Sequence, residues 1–176
     1  GTVLAEDIRA DYDIPPLANS AMDGYAVRAD DVRAASQANP IALRVVYNLA
    51  AGYTTDVEVV PGTAVRIMTG APLPAGADAV VPFEETEQAG DVVRVMRSQP
   101  PAANVRMAGE DVQRGTLVLG RGAEIGPAEI GMLAALGHGV VQTYRRPRVG
   151  ILATGDEVID IDAPLLPGKI RNANSY

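Results

Sequence analysis

Short runs of alternating apolar and polar residues, divided by turn-forming residues, fill the first two thirds of the chain. Runs rich in Val and Ile with a period of two are typical of β-strands that have one buried face. The separators carry Gly, Pro, Asn or Asp, which favour tight turns. The predicted strands are Ile41 to Val46, Asp56 to Val59, Ala64 to Met68, Ala79 to Phe83, Val92 to Met96 and Thr116 to Leu119. This pattern predicts a β-rich fold.

A helical pattern follows in the last third. From Pro127 to Leu136 the apolar residues recur every three or four positions, the proline suits a first turn, and Gly137 supplies a stop signal. His138, which stands between Gly137 and Gly139, is more typical of a turn residue than of a metal ligand. We predict a helix here, followed by a short strand from Val140 to Tyr144.

The pattern changes at Arg145. The basic segment Arg145-Arg146-Pro147-Arg148 leads into the apolar run Val149 to Ala153, which opens into Thr154-Gly155-Asp156-Glu157. Such a run is typical of a buried parallel strand whose end delivers polar groups to a site. About thirty residues remain, whereas a doubly wound domain usually exceeds ~100 residues. We therefore expect the last residues to begin an α/β domain.

Composition and charge exclude several classes of function. The chain has 176 residues, 47% of them hydrophobic, and a formal net charge of -7, which would repel a nucleic-acid backbone. No apolar run approaches the roughly 20 residues that cross a bilayer, and residues 1–10 do not resemble a targeting signal. We therefore expect a cytoplasmic protein that binds neither membrane nor nucleic acid.

The available side chains also restrict the chemistry. The sequence has no cysteine and one histidine, which excludes disulfides, thiolate nucleophiles, zinc-thiolate sites and iron-sulfur clusters. Carboxylates, hydroxyls, backbone amides and arginines remain. These groups suit hard cations such as Mg²⁺, and phosphates or other oxyanions.

Two turns in the β-rich part carry candidate site residues. Asp23 lies next to Gly24, where it could face a ligand, although a local turn in which the carboxylate binds nearby amides explains it as well. Thr69 ends a predicted strand beside Gly70, so its hydroxyl could contact a phosphate. A strand end followed by a proline-rich loop is the alternative for Thr69.

Two further acidic segments are candidates. Asp111 follows Gly109 and Glu110 in a second acidic turn, which a solvated loop explains almost as well. Thr154 to Glu157 is a stronger signal, because a hydroxyl, a glycine and two carboxylates after a buried strand suit a magnesium-bound phosphate ligand. A helix N-cap at Thr154 or Asp156 is the competing interpretation.

These segments occur in a specific order along the chain. They are Asn19 to Val27, Arg66 to Ala71, Val105-Arg106 with Gly109 to Asp111, Ile151 to Glu157, and the ending Ile170 to Tyr176. Their combination resembles the molybdopterin molybdenumtransferase family, which includes the bacterial MoeA proteins and the E domain of gephyrin. The resemblance extends over essentially the whole chain, and the combination is far more specific than any single motif.

The resemblance implies a mixed α+β, β-rich fold in an elongated multidomain subunit. Residues 1–9 and 104–144 would form the first domain, and residues 10–103 a β-rich domain inserted into it. Residues 145–176 would be the truncated start of an α/β molybdopterin-binding domain, and a fourth, β-barrel domain would be absent. On this basis we expect an N-terminal fragment.

The family reaction, as the resemblance implies it, inserts molybdate into adenylated molybdopterin with Mg²⁺ and releases AMP. The expected catalytic residues are Asp23, Thr69, Asp111 and Glu157, which match positions that line the family's active-site cleft. The expected ligands of the metal are Glu157 and Asp156, and those of the pterin substrate are Thr154, Gly155, Asp156 and Ser175.

The resemblance also implies a homodimer whose cleft is shared between two subunits, so that Asp23 of one would work with Glu157 of the other. Two functions of other classes stay open at this point. One is a scaffold of the gephyrin type without catalysis. The other is a β-rich interaction module in which the acidic turns only bend the chain.

Overall fold

The structure, a computed structural model, describes residues 1–176 and is built mainly from short strands. In chain order the strands are β1 Thr2–Val3, β2 Ile8–Arg9, β3 Asn19–Ser20, β4 Gly24–Val27, β5 Ile41–Leu49, β6 Thr63–Ile67, β7 Ala79–Pro82, β8 Thr86–Ala89, β9 Val92–Val95, β10 Val105–Arg106, β11 Leu117–Leu119, β12 Glu124–Ile125, β13 Val158–Ile159 and β14 Ile170–Arg171. The two α-helices are α1 Ala29–Val32 and α2 Pro127–Ala135, and a 3₁₀-helix spans Phe83–Glu85. Neither α-helix has the length and apolar composition that crossing a membrane requires.

A six-stranded sheet with the order β7-β4-β6-β5-β9-β8 is the largest unit. Its neighbours are antiparallel except for β5 and β6, which run parallel. Tyr25 and Val27 point into one buried cluster, whereas Ala26 between them points into the other. Because side chains alternate along a strand, these two clusters lie on opposite faces of the sheet. The sheet is therefore buried on both sides around β4.

A third buried cluster lies outside the sheet. Leu4, Ile8, Ala10, Leu133 and Leu136 meet where β1 and β2 pack with α2. The strands β1 and β2 pair with β12 and β11, which precede α2, and a bridge joins Leu4 to Thr143 after it. The chain thus leaves this cluster, forms the sheet, and returns to it.

The predicted β-rich character is confirmed, as are five of the strands and the helix, within a few residues. The predicted strand from Asp56 to Val59 is wrong: the backbone N–H of Val59 donates to the carbonyl of Ala75, but no ladder of bonds forms. The predicted strand from Val140 to Tyr144 is reduced to a single bridge between Leu4 and Thr143. Both segments are short and lack a neighbour that could extend the pairing.

The expected buried strand from Val149 to Thr154 is also wrong. These residues form no strand, and Val149 and Leu152 are 79% and 86% exposed. An apolar run becomes a strand only where another strand offers hydrogen-bond partners, and none of the described residues does so here. The one parallel pair nearby joins β13 to β14.

Candidate functional site

Asp23 stands in a turn that is fixed at both ends. Before it, Asn19 and Ser20 in β3 pair with β10, and the Ser20 hydroxyl accepts from Met22 N–H at 3.3 Å and donates to Met22 O at 2.5 Å. After it, Gly24 begins β4, where a Cβ would lie 2.1 Å from the carbonyl oxygen of Val81. Only glycine fits so close to the neighbouring strand. The sequence Asp-Gly thus brings the Asp23 carboxylate to the end of the sheet.

The Asp23 carboxylate is held by Thr69, a residue 46 positions away. Its Oδ1 accepts the backbone N–H of Thr69 at 2.7 Å and the Thr69 hydroxyl at 2.8 Å. These two hydrogen bonds, with a smaller contribution from the Arg66 charge, lower the pKa of Asp23 below its ordinary value. Asp23 is therefore ionised at neutral pH and does not form the local turn that was the alternative.

Arg66 lies beside this pair on the same sheet. Its guanidinium carbon is 4.9 Å from the centre of the Phe83 ring, and that ring meets Tyr25 edge-on at 5.4 Å. Arg66 Nε is buried and has no hydrogen-bond partner, and no carboxylate lies within salt-bridge distance of the guanidinium. The site therefore combines an ionised carboxylate, a hydroxyl and an unpaired cation.

Asp111 belongs to a second polar cluster. Arg106 donates to Asp111 Oδ2 at 2.6 Å and lies 3.6 Å from Glu110 Oε1. The hydrogen bond that Arg106 donates to Asp111, and then the charge of Asp111, raise the pKa of Arg106. Glu110 also accepts the backbone N–H of Met107, so it closes the turn. Asp111 is thus an ion-pair partner rather than a free carboxylate in a solvated loop.

The two clusters are joined through the backbone. Arg106 is the register partner of Asn19, four residues before Asp23. No hydrogen bond or ion pair links Asp111 to Asp23 or Thr69 directly. The structure therefore brings Asp23 and Thr69 into contact. Asp111 is bonded to Arg106 in β10, which pairs with β3 just before the Asp23 turn.

The C-terminal candidates lie in a separate segment. The Glu157 carboxylate folds over Gly155, since a Cβ there would be 2.6 Å from both of its oxygens. Lys169 Nζ donates to the carbonyl of Asp156 at 2.5 Å, which fixes the Thr154–Glu157 turn from the other side. The site therefore presents two neighbouring carboxylates at one turn.

Ser175 closes a turn with Asn172, through two hydrogen bonds of 2.7 and 3.2 Å. Thr154, at the other end of the segment, lines a hollow of about 390 Å³ together with Asn172 and Asn174. Every hydrogen bond of residues 150–176 stays within that segment. Within one chain, therefore, Glu157 does not bond to the Asp23–Thr69 pair.

Comparisons with known proteins identify the family. Residues 1–137 match the family model described as "MoeA N-terminal region (domain I and II)". This chain belongs to the MoeA family.

Relatives and solved structures extend the match beyond the family model. The molybdopterin molybdenumtransferase of Bacillus subtilis (strain 168) is 43% identical over 98% of this chain and 41% of its own length. The enzyme of the same name from Nostoc sp. is 42% identical over 100% of this chain and 40% of its own. The crystal structure of the molybdopterin biosynthesis MoeA protein from Pyrococcus horikoshii OT3 aligns with a TM-score of 0.90 at 41% identity, over 99% of this chain and 47% of that one. This MoeA-family chain thus spans less than half the length of the proteins it matches.

Sequence reasoning missed two arginines of the site. Arg66 precedes Thr69 by three residues at the end of β6, and Arg106 precedes the Glu110-Asp111 pair by four and five. Both spacings put a cation beside a predicted acidic or hydroxyl group, and this signal was available in the sequence. What it lacked was the identity of the distant neighbour, which is the Phe83 ring for Arg66 and the strand partner Asn19 for Arg106.

Proposed function

We propose that this chain is part of a molybdopterin molybdenumtransferase, which inserts molybdate into adenylated molybdopterin and releases AMP. The observation that carries the proposal is the match to transferases of that name at 43% identity along almost the whole chain. The polar groups of the candidate site suit the same chemistry, because an anionic substrate needs cations and hydrogen-bond donors rather than thiolates or imidazoles.

Magnesium is the metal that the donor set accommodates. No three carboxylate or imidazole groups of residues 1–176 converge into a cage. Mg²⁺ is usually held by one or two carboxylates together with water and substrate phosphate, so it does not require such a cage. Asp156 and Glu157 offer that pair. Bound there with the phosphates of the substrate, Mg²⁺ would neutralise charge during cleavage of the adenylate.

The residues of the chain would divide the remaining work. Thr154, Gly155 and Ser175 would hold the pterin substrate at the C-terminal segment. Asp23 and Thr69 would form the opposite wall and keep a fixed carboxylate and hydroxyl towards it. We propose a homodimer in which the two walls come from different subunits, which is consistent with the absence of hydrogen bonds between them in one chain.

A scaffold function of the gephyrin type has no comparable support. The relatives described above are named as transferases, and none of those names refers to a scaffold.

Titration calorimetry tests the proposal. Adenylated molybdopterin with Mg²⁺ would be titrated into the 176-residue chain and into a version extended to the length of its relatives. We expect binding by the extended protein and a loss of about tenfold or more in Glu157→Gln, which removes one charge from the proposed metal site. Asp160→Asn, an exposed carboxylate of the same segment, is the matched control and should bind like wild type.

The outcomes separate the parts of the proposal. If the extended protein does not bind the substrate, the proposed function is wrong. If it binds equally well without Mg²⁺, or if Glu157→Gln has no effect, the proposed metal site is wrong, whereas the proposed substrate is supported. We expect the 176-residue chain alone to release no AMP, because the α/β domain implied by the resemblance would contribute most contacts to the pterin and to molybdate; measurable AMP release would contradict this.

A further inference from the structure

Arg66 is held rigidly without using its hydrogen-bond donors. Its register partner in β4 is Tyr25, and its guanidinium stacks over Phe83, which itself packs against the Tyr25 ring. The hydroxyl of Tyr25 donates to Gln88, so it does not engage the arginine. Stacking on an aromatic ring orients a guanidinium but leaves its in-plane N–H groups free.

Three other arginines of the chain differ in this respect. Arg33, Arg97 and Arg106 each pair with a carboxylate of the same chain. Arg66 has no such partner, and its buried Nε is also unbonded. Its terminal nitrogens make no hydrogen bond either, and they are not among the buried unpaired atoms, so they reach solvent. A partly desolvated cation gains more from an added anion than one in water does.

We propose that the terminal nitrogens of Arg66 bind a tetrahedral oxyanion carried by the substrate, either molybdate or a phosphate group. The inference rests on the proposed function and assigns one of its anionic groups to this arginine. The guanidinium fork matches two oxygens of such an anion with two parallel N–H···O bonds.

The neighbouring Asp23 limits how tightly the anion binds. Its Oδ1 is occupied by Thr69, but the carboxylate keeps its charge beside Arg66. Two effects therefore oppose each other at this site, attraction by Arg66 and repulsion by Asp23. The repulsion by Asp23 lowers the affinity for the anion, and a weaker complex dissociates faster after reaction.

Nitrogen-15 NMR of arginine side chains tests the proposal on the 176-residue chain. The Arg66 Nε–H signal is assigned by its loss in Arg66→Lys and followed while sodium phosphate, sodium molybdate or AMP is added at constant ionic strength. We expect a saturable shift of this signal in the wild type. Calorimetry with the same probes should show affinity reduced by about tenfold or more in Arg66→Gln, and increased in Asp23→Asn.

The matched control is Arg94→Gln, an exposed arginine on β9 of the same sheet, which should bind the anions like wild type. Circular dichroism verifies that Arg66→Gln is folded. If it is not folded, the response of the wild-type Arg66 NMR signal to the anions tests the proposal by itself. A response to molybdate alone identifies the oxometalate as the ligand, a response to AMP alone identifies the phosphate ester, and either supports the proposal. No shift of the Arg66 signal with any probe, or equal affinity in folded Arg66→Gln, overturns it.

This test and that of the proposed function fail separately. If anions bind at Arg66 but the extended protein does not bind adenylated molybdopterin, the proposed function is wrong and Arg66 is a general oxyanion site. If substrate binding depends on Glu157 but the Arg66 signal does not respond to any anion, the proposed function is supported and the Arg66 proposal is wrong.

Discussion

Hydrogen bonds from one distant residue, Thr69, lower the pKa of Asp23. The sequence shows only an aspartate before a glycine, which a local turn explains equally well. Thr69 reaches Asp23 because β4 and β6 are neighbours in the sheet, and both of its donors point to the same oxygen. The lowered pKa of Asp23 is therefore a tertiary property, whereas its position just before β4 follows from Gly24.

Replacing the Thr69 hydroxyl should raise the pKa of Asp23 part of the way to its ordinary value of 3.8. In Thr69→Val the backbone N–H, which is the larger cause, remains, so the rise should be incomplete. Side-chain NMR titration of Asp23 measures it. Thr54→Val, an exposed threonine without this contact, should leave the titration unchanged. An unaltered Asp23 titration in Thr69→Val would contradict the assignment.

The same shift has a consequence for stability. Because the folded pKa of Asp23 lies below the unfolded one, its contribution is fully present above the unfolded value and disappears as pH falls through the folded value. Wild type should therefore lose its stability advantage over Asp23→Asn below about pH 3.8 and keep it constant above pH 6. Urea denaturation at several pH values follows this difference, and an advantage that grows towards low pH would refute it.

Gly24 should not tolerate a side chain. A Cβ would overlap the carbonyl oxygen of Val81 in the paired strand β7 at 2.1 Å, so we expect Gly24→Ala to lower the free energy of unfolding by about 3 kcal/mol. Gly120→Ala, where the added carbon meets nothing within 4 Å, should change it by less than about 0.5 kcal/mol. Chemical denaturation compares the two, and equal stability of both variants would show that β4 and β7 can separate at no cost.

At the scale of elements, α2 follows its sequence signals closely. The Glu129 carboxylate accepts the N–H of Gly126 at 3.0 Å before the Pro127 start, and Gly137 has φ of 78° after the last turn. The backbone N–H of His138 donates to the carbonyl of Leu133, so His138 is a turn residue as predicted. These signals are local, which explains why the helix was predicted well and the strands near Val59 and Val140 were not.

Replacing two glycines, one inside this helix and one just after it, by alanine should change the stability in opposite directions. Gly131 lies in its interior with open space around it, so Gly131→Ala should stabilise the chain by about 0.5–1 kcal/mol. Gly137 has a positive φ that alanine adopts poorly, so Gly137→Ala should destabilise by about 1 kcal/mol. Thermal unfolding measures both, and the same sign for both changes would contradict the helix boundary.

At the scale of the whole molecule, the chain divides by where its buried residues lie. All 29 of them precede or include Leu136, so none belongs to residues 145–176. Residues 145–154 take part in no hydrogen bond, although Val149, Ile151 and Leu152 are apolar. These residues have no neighbouring strand that could supply hydrogen-bond partners, so the expected buried strand does not form.

Ending the chain after Tyr144 should leave the free energy of unfolding within about 0.5 kcal/mol of the original, since no buried residue is removed. Ending it after Gly139 should lower the free energy, because the Leu4–Thr143 bridge and the hydrogen bond from Tyr144 N–H to the Val3 carbonyl are lost. Urea denaturation of the three chains makes the comparison. A large loss on ending at Tyr144 would mean that the last residues do stabilise the core.

The sequence by itself determined the β-rich character, the helix from its caps, the exclusion of thiolate chemistry and the family resemblance, because each depends on residue type and local spacing. The tertiary structure alone decided that Asp23 joins Thr69, that Arg66 lies unpaired against Phe83, and that Asp111 pairs with Arg106. These contacts depend on which strands become neighbours, and strand order is set by packing across the sheet, which no local pattern records.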